Sequence, residues 1–315
     1  MAGMKFCPPD LKTLAFYRHF NHFRGGHLKV WNYFCHSKGS MGFRPTIHFA
    51  PGSALDVSNP WISAGEHIEE KWEPCKVDAL FLGGLDWVDV PEDCATPVIN
   101  LIQGVRHGDP DDPRHPFLSR RAIRICVCKE VEIAIMATGK VNGPVITIPA
   151  GLDFDEFPEA SCERDIPLLI AGTKDPELAR KLSVKLAEMK VPHICLANSL
   201  PRRDFLSLLG RASVTIFLPL AKEGFYLPAL EGMAMGTLVV CPDCVGNRGF
   251  CLNEINCLRP DYNMGSIVAS CRDALERMSN GSAESILSAA FHQVHQHSIE
   301  EESRLFLRVL SALFR

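Results

Sequence analysis

The 315-residue sequence has no apolar run approaching the about 18 residues that a membrane-spanning helix requires. Its first residues, MAGMKFCPPDLK, have no charged segment leading into an apolar one, so a secretory leader is not expected. A basic excess is missing too: 33 Lys and Arg stand against 37 Asp and Glu, a net charge of −4. That balance sets nucleic acid and anionic membrane surfaces aside as partners. Low-complexity tracts and short internal repeats are absent, which removes collagen-like, solenoid and disordered classes. What is present is 46% hydrophobic and 22% charged, enough to bury the cores of a water-soluble globular protein. At roughly 150 residues per domain, the length predicts two domains.

Thirteen cysteines are many, yet the number is odd and they are spread through predicted strands and helices rather than framing short loops. This favours reduced thiols and a cytoplasmic location over a disulfide scaffold. Cys241-Pro-Asp-Cys244, with Cys251 and Cys257 beyond it, superficially offers four thiolates. Structural zinc sites pair two close-spaced couples, and five residues separate the second couple here. Thiols behaving as small apolar side chains are the favoured reading. His19, His22, His27 and His36 match no single helical face, and no metal is expected there.

Strand and helix patterns alternate along the chain. Strands are predicted at 11–17, 44–50, 78–82, 97–103, 124–128 and 144–149, with helices at 27–37, 117–122 and 130–138. Residues 51–76 read as a long loop with a short helix near Glu69. Its Trp61 and Trp72 are candidates to stack on a flat ligand or to pack inside. Residues 151–164, polar and aperiodic, read as a linker. The pattern then restarts with strands at 166–171, 193–197, 214–218 and 238–241. Helices are predicted at 176–190, 202–211, 227–235 and 266–278, and a last one at 283–314 is broken near 296–298. Short, near-continuous apolar strands separated by helices predict two α/β domains, each a parallel sheet covered on both faces. The first spans 1–155 and the second 156–315.

The most informative stretch is Glu223-Gly-Phe-Tyr-Leu-Pro-Ala-Leu-Glu231, continuing as GMAMGTLVVCPD. A strand ends in a loop at Glu223-Gly224, and a helix starts near Pro228, whose missing N–H costs nothing in a first turn. Free N–H groups and the positive helix end favour an anion or polar ligand at the carboxyl edge of the sheet. By themselves, two glutamates eight apart favour the plainer reading, acidic residues stabilising a helix start.

The full stretch resembles the E-x7-E signature of retaining GT-B glycosyltransferases, particularly glycosyltransferase family 4. Arg24-Gly25-Gly26 resembles the glycine-rich loop after the family's first strand. Gln103-Gly-Val-Arg-His107-Gly108 resembles its strand-end histidine segment, and Ile148-Pro-Ala-Gly-Leu-Asp153 its entry to the interdomain linker. The resemblance implies two Rossmann-like doubly wound domains facing across a cleft, with a nucleotide-diphosphate sugar as donor substrate held mainly by the C-terminal one and the last helix packing back on the N-terminal one. It places Glu223 at the donor sugar and Glu231 on the ribose hydroxyls. The backbone of Gly224, Phe225, Tyr226 and Leu227 would lie along the sugar and diphosphate. Gly25, Gly26 and Gly172 would allow close backbone approach, and His107 would stand beside the reacting centre.

One departure is notable. The family has an Arg and a Lys soon after the first C-domain strand, whereas this chain has only Lys174, with Arg180 and Lys181 further on. Arg202, Arg203 and Arg248 are candidates to supply the missing charge. Asp109-Pro-Asp111-Asp112 lies in a proline-rich loop and reads as a turn rather than a metal motif, so neither metal nor other cofactor is expected. The reading is a metal-independent retaining transferase acting on a small-molecule, glycan or other hydroxyl acceptor. A non-catalytic sugar-nucleotide-binding protein on the same fold is the alternative. A nicotinamide enzyme is disfavoured because no G-x-G-x-x-G follows a strand.

Overall fold

The computed structural model describes residues 11–22, 25–159 and 163–313. The chain divides into two compact units. Unit 1 comprises residues up to Val127, Val131–Ile148 and the chain from Glu302 on; unit 2 comprises Cys128–Glu130 and Pro149–Glu301.

Unit 1 contains strands β1 (Lys12–Arg18), β2 (Phe43–Phe49), β3 (Ala79–Gly83), β4 (Val98–Ile102), β5 (Ile123–Cys126) and β6 (Val145–Thr147). All pair in parallel, in the order β2-β1-β3-β4-β5-β6. Its helices are α1 (Gly25–Lys38), α2 (Pro60–Ser63), α3 (Lys129–Met136) and most of α9 (Ile299–Ala312). Alternation along the strands sorts side chains between the faces. Phe16 and Phe81, 4.6 Å apart, join Tyr33 of α1 and Phe306 of α9 in an aromatic cluster. Ala15, Tyr17, Leu80 and Leu82 pack with Trp87 on the other face.

Unit 2 holds β7 (Ile166–Ala171), β8 (Ile194–Leu196), β9 (Ala212–Phe217) and β10 (Leu238–Val240), parallel in the order β10-β9-β7-β8. Leu169, Ala171, Phe217 and Val239 face α5 (Arg202–Arg211), α6 (Leu227–Ala234) and α8 (Glu284–His295). The intervening Leu168, Ile170, Ile216 and Val240 face α4 (Pro176–Glu188) and α7 (Met264–Asn280). Fully apolar strands are thus covered on both sides, as the sequence pattern predicts.

Two local expectations fail. Glu69 is not helical, and its amide instead pairs with the carbonyl of Ile47. The short helix of that loop is α2, where the Asn59 side chain accepts the Trp61 N–H and Pro60 occupies the first turn. Residues 117–122 are not a full helix either. A 3-10 turn over His115–Ser119 ends there, because the N–H of Ala122 is drawn to the carbonyl of Asn142 as β5 begins.

Candidate functional site

In open parallel sheets, ligands bind outside the carboxyl ends of strands where the strand order reverses. In unit 2 that point lies between β7 and β9, since the chain leaves β7 toward β8 on one side and returns to β9 on the other. The two loops flanking it carry Lys174, just after β7, and Glu223, just after β9. Their Nζ and Oε1 atoms lie 3.3 Å apart. Lys174 is 46% exposed, whereas Glu223 is only 16% exposed, and its Oε1 has no hydrogen-bond partner. The lysine contact is therefore electrostatic, and a buried carboxylate oxygen at the switch point has no hydrogen-bond donor among the described residues.

The loop from Glu223 to Tyr226 is braced from behind. Val245 donates to Ala221 at 3.1 Å, and the carbonyl of Gly246 accepts the N–H of Tyr226 at 3.0 Å. A Cβ on Gly246 would come within 2.9 Å of the Gly224 and Phe225 backbone, so only glycine allows this approach. The buried Cys128 thiol donates to the Gly224 carbonyl at 3.0 Å, and the Phe225 ring packs on Phe250 and His297. One expected donor is consequently committed: the Tyr226 N–H serves the fold rather than a ligand. Tyr226 and Leu227 then lead into α6, whose N-terminus has no side-chain cap among the described residues. Pro228 lacks an N–H and that of Ala229 turns back to the Tyr226 carbonyl at 3.3 Å, so what the loop offers there is the positive helix end.

Glu231, on α6 and 3% exposed, forms an ion pair with Arg202 at the start of α5. Arg202 also reaches Glu156 at 2.9 Å. Burial works against its charge, but Glu231 and Glu156 more than offset that and raise its pKa. Arg248 is likewise committed, to Asp243 at 2.6 Å, with Arg259 on the same carboxylate. Arg203 and Arg180 are exposed on their helices. Of the basic residues considered for the diphosphate, Lys174 alone stands at the switch point.

Gly172 answers a packing need. A Cβ there would lie 2.2 Å from that of Ala179, so the glycine lets α4 sit tightly on β7. Gly151 similarly accommodates the Ser298 carbonyl, 2.5 Å from where its Cβ would be.

The corresponding reversal in unit 1 lies between β1 and β3. Gly25 and Gly26 form the start of α1 there, and Gln103, just past β4, donates to the Gly26 carbonyl at 3.1 Å. Neither glycine is forced by packing, since the nearest atom to an added Cβ is at 3.7 Å. Arg24 lies outside the described residues. Sequence reasoning missed the cluster beneath: Arg18, ending β1, bonds Asp86 at 2.6 Å, the Gly83 carbonyl at 3.2 Å and His27 at 3.1 Å. Burial pushes Asp86 up to about 6 despite Arg18. The glycine pair Gly83-Gly84 at a strand end was the available signal.

His107 lies in a short 3-10 turn after β4 and is 3% exposed. Burial, with help from Arg114, lowers its pKa to about 3, so the imidazole is neutral. Cys241, Cys244, Cys251 and Cys257 are all buried free thiols. Among the described residues no group of three or more His, Cys, Asp or Glu side chains is arranged to hold a metal ion, and no helix is long and apolar enough to cross a membrane.

These two parallel α/β units belong to the GT-B fold class, with two Rossmann-like sheets. Residues 152–277, which contain both glutamates, match the family model of glycosyl transferases group 1. Similar solved structures include a glycosyltransferase from Rickettsia africae ESF-5, at a TM-score of 0.75 and 14% identity, covering 97% of this chain and 99% of that one. A sucrose-phosphate synthase from Thermosynechococcus elongatus follows at 0.72 and 12%, covering 96% and 99%. Anabaena HepE, solved with UDP and glucose, aligns at 0.71 and 12%, covering 96% and 100%. No curated protein sequence matches the chain. The family match and the shared fold support a glycosyltransferase.

Proposed function

We propose that the protein is a retaining glycosyltransferase that moves a sugar from a nucleotide-diphosphate donor to an acceptor hydroxyl without a metal ion. The observation that carries the reading is the open carboxylate of Glu223 beside Lys174, 3.3 Å away at the switch point, with Glu231 eight residues on. Glu223 accepts hydrogen bonds from the donor sugar, and Glu231 receives the ribose diol through the oxygen that Arg202 leaves open. Lys174 and the positive N-terminal end of α6 stabilise the departing diphosphate as the C1–O bond loosens. The acceptor oxygen attacks C1 on the face the diphosphate leaves, and its proton passes to the departing phosphate oxygen. Gly25 and Gly26 give the diphosphate a backbone surface without side chains, and the neutral His107 acts as a hydrogen-bonding group beside the sugar. A cytoplasmic location, favoured by the expected reduced thiols, belongs to the same reading.

A non-catalytic sugar-nucleotide-binding role is the second reading. It is favoured by the commitment of Arg202 and Arg248 to carboxylates, which leaves little free cationic charge for a leaving group. Release of nucleoside diphosphate from a donor panel separates the two. UDP-glucose comes first, since HepE has been solved with it. Turnover that survives a chelator and gives a product of unchanged anomeric configuration supports the transferase. Donor binding with no turnover for any acceptor supports the second reading. Unchanged donor affinity in both Glu223→Ala and Glu231→Ala would remove the site assignment itself.

A further inference from the structure

A pocket of about 590 Å³ opens in unit 1 at the amino-terminal ends of β4, β5 and β6, the edge of that sheet opposite its strand carboxyl ends. Its volume falls in the range of small-molecule sites, about 300–1,000 Å³. Arg120, Arg121 and Trp87 line it with apolar Val90, Ile123 and Leu313. The charge around it is unusual. Arg120 donates to the carbonyls of Trp87, Val90 and Pro91 at 3.3, 2.9 and 2.6 Å, and has no carboxylate partner among the described residues. The neighbouring Arg124 is fully buried, bonded only to Asn100 and to carbonyls, including that of Arg120. Both guanidinium groups stack on the Trp87 ring, 4.7 and 5.4 Å from its centre. Arg121 adds an exposed third positive charge at the rim.

Buried charges are ordinarily paired, and this cluster of like charges has only Glu92 of opposite sign in the pocket lining. Two buried donors nearby, Arg124 Nε and Trp87 Nε1, have no acceptor among the described residues. An anion would supply the missing counter-charge, and the apolar wall would cover a flat body attached to it. We propose that this pocket binds a small organic anion, an acidic head on a flat apolar body, with Arg121 and the outward N–H groups of Arg120 on the head. The site is independent of the donor site in unit 2, so either assignment can fail without the other.

The test uses 8-anilinonaphthalene-1-sulfonate as probe, titrated into the full chain by calorimetry and fluorescence at physiological salt. One-to-one binding is expected, with the uncharged N-phenyl-1-naphthylamine roughly tenfold or more weaker. Arg121→Glu should weaken the probe by a similar factor. Ala95→Trp, which fills the pocket from an exposed lining position, should abolish binding while circular dichroism stays unchanged. No one-to-one binding, equal affinity for the neutral analogue, or indifference to either variant would overturn the proposal. Displacement of the probe by UDP would do so too, by assigning it to a nucleotide site.

Discussion

Helix α9 is tied to α1 by a buried charge cluster whose disruption gives a sharp test. Glu302 sits with its side chain fully buried between Lys29, at 2.7 Å, and His36, at 3.1 Å. At an effective dielectric of about 20, the Lys29 contact is worth about 6 kcal/mol of gross Coulomb attraction, most of it offset by desolvation. Glu302→Gln keeps the shape but leaves Lys29, 3% exposed, as a buried charge without its counter-ion. Breaking such a pair costs about 3–5 kcal/mol. The double variant Lys29→Met/Glu302→Gln removes the stranded ammonium and should recover most of that loss. All four tryptophans belong to unit 1, so urea unfolding followed by tryptophan fluorescence reads this unit directly. The cluster also sets a pH dependence. Burial alone would raise the Glu302 pKa, but Lys29 and His36 hold it below the ordinary carboxylate value. The resulting stabilisation is complete above the unfolded carboxylate range and is lost as pH falls through the lower folded value. A loss below about 1 kcal/mol for Glu302→Gln, the size of an exposed pair, would refute the reasoning. So would a double variant no more stable than the single one.

Three further outcomes follow. Arg202→Ala strands Glu231 and should lower the stability of unit 2 by about 1–3 kcal/mol, against under about 1 kcal/mol for Glu156→Gln at the exposed end of the same chain of charges; equal effects in calorimetry would contradict the pairing. Gly172→Ala should destabilise by about 1–3 kcal/mol through its clash with Ala179, whereas Gly26→Ala should fold normally and weaken donor binding, and a Gly26→Ala variant of unchanged donor affinity would count against backbone approach there. His107 has its pKa lowered to about 3 by burial, so the unfolded chain takes up a proton first: stability is complete above about 6.5 and falls by up to about 1.4 kcal/mol per pH unit below it, a slope that His107→Phe should remove from the tryptophan-monitored unfolding curve.

The central strands were legible because they are nearly unbroken apolar runs, the pattern both sheet faces demand, whereas β2, FRPTIHF at the sheet edge, mixes polar and apolar residues. Glu223 and Glu231 stand out only through the whole stretch EGFYLPALEGMAMGTLVV and its resemblance, because their spacing alone favours acidic residues at a helix start. Arg202 could be named only as one of several spare cations, since its partners lie 46 and 29 positions away at Glu156 and Glu231, and no local pattern encodes such pairing. The Tyr226 amide was read as free for the same reason: its acceptor, Gly246, comes from beyond β10. Gly172 looked like a ligand-approach glycine until the neighbouring helix was in place to show what it contacts. Near Glu69, polar residues suggested a helical turn, but the asparagine–proline start at Asn59-Pro60 placed the helix a few residues earlier.

The return of residues 302–313 to unit 1 has a consequence for biosynthesis. Phe306 and Glu302 complete a core and a charge cluster whose other members, Phe81, Tyr33 and Lys29, are translated far earlier. The sheet of unit 2, Ile166–Val240, lies in chain order between the six strands of unit 1 and residues 302–313, so it is fully synthesised while unit 1 still lacks a wall. The later-made sheet can therefore mature before the earlier one. A nonsense codon between Val240 and Glu302 would harm unit 1 even though all six of its strands had been made.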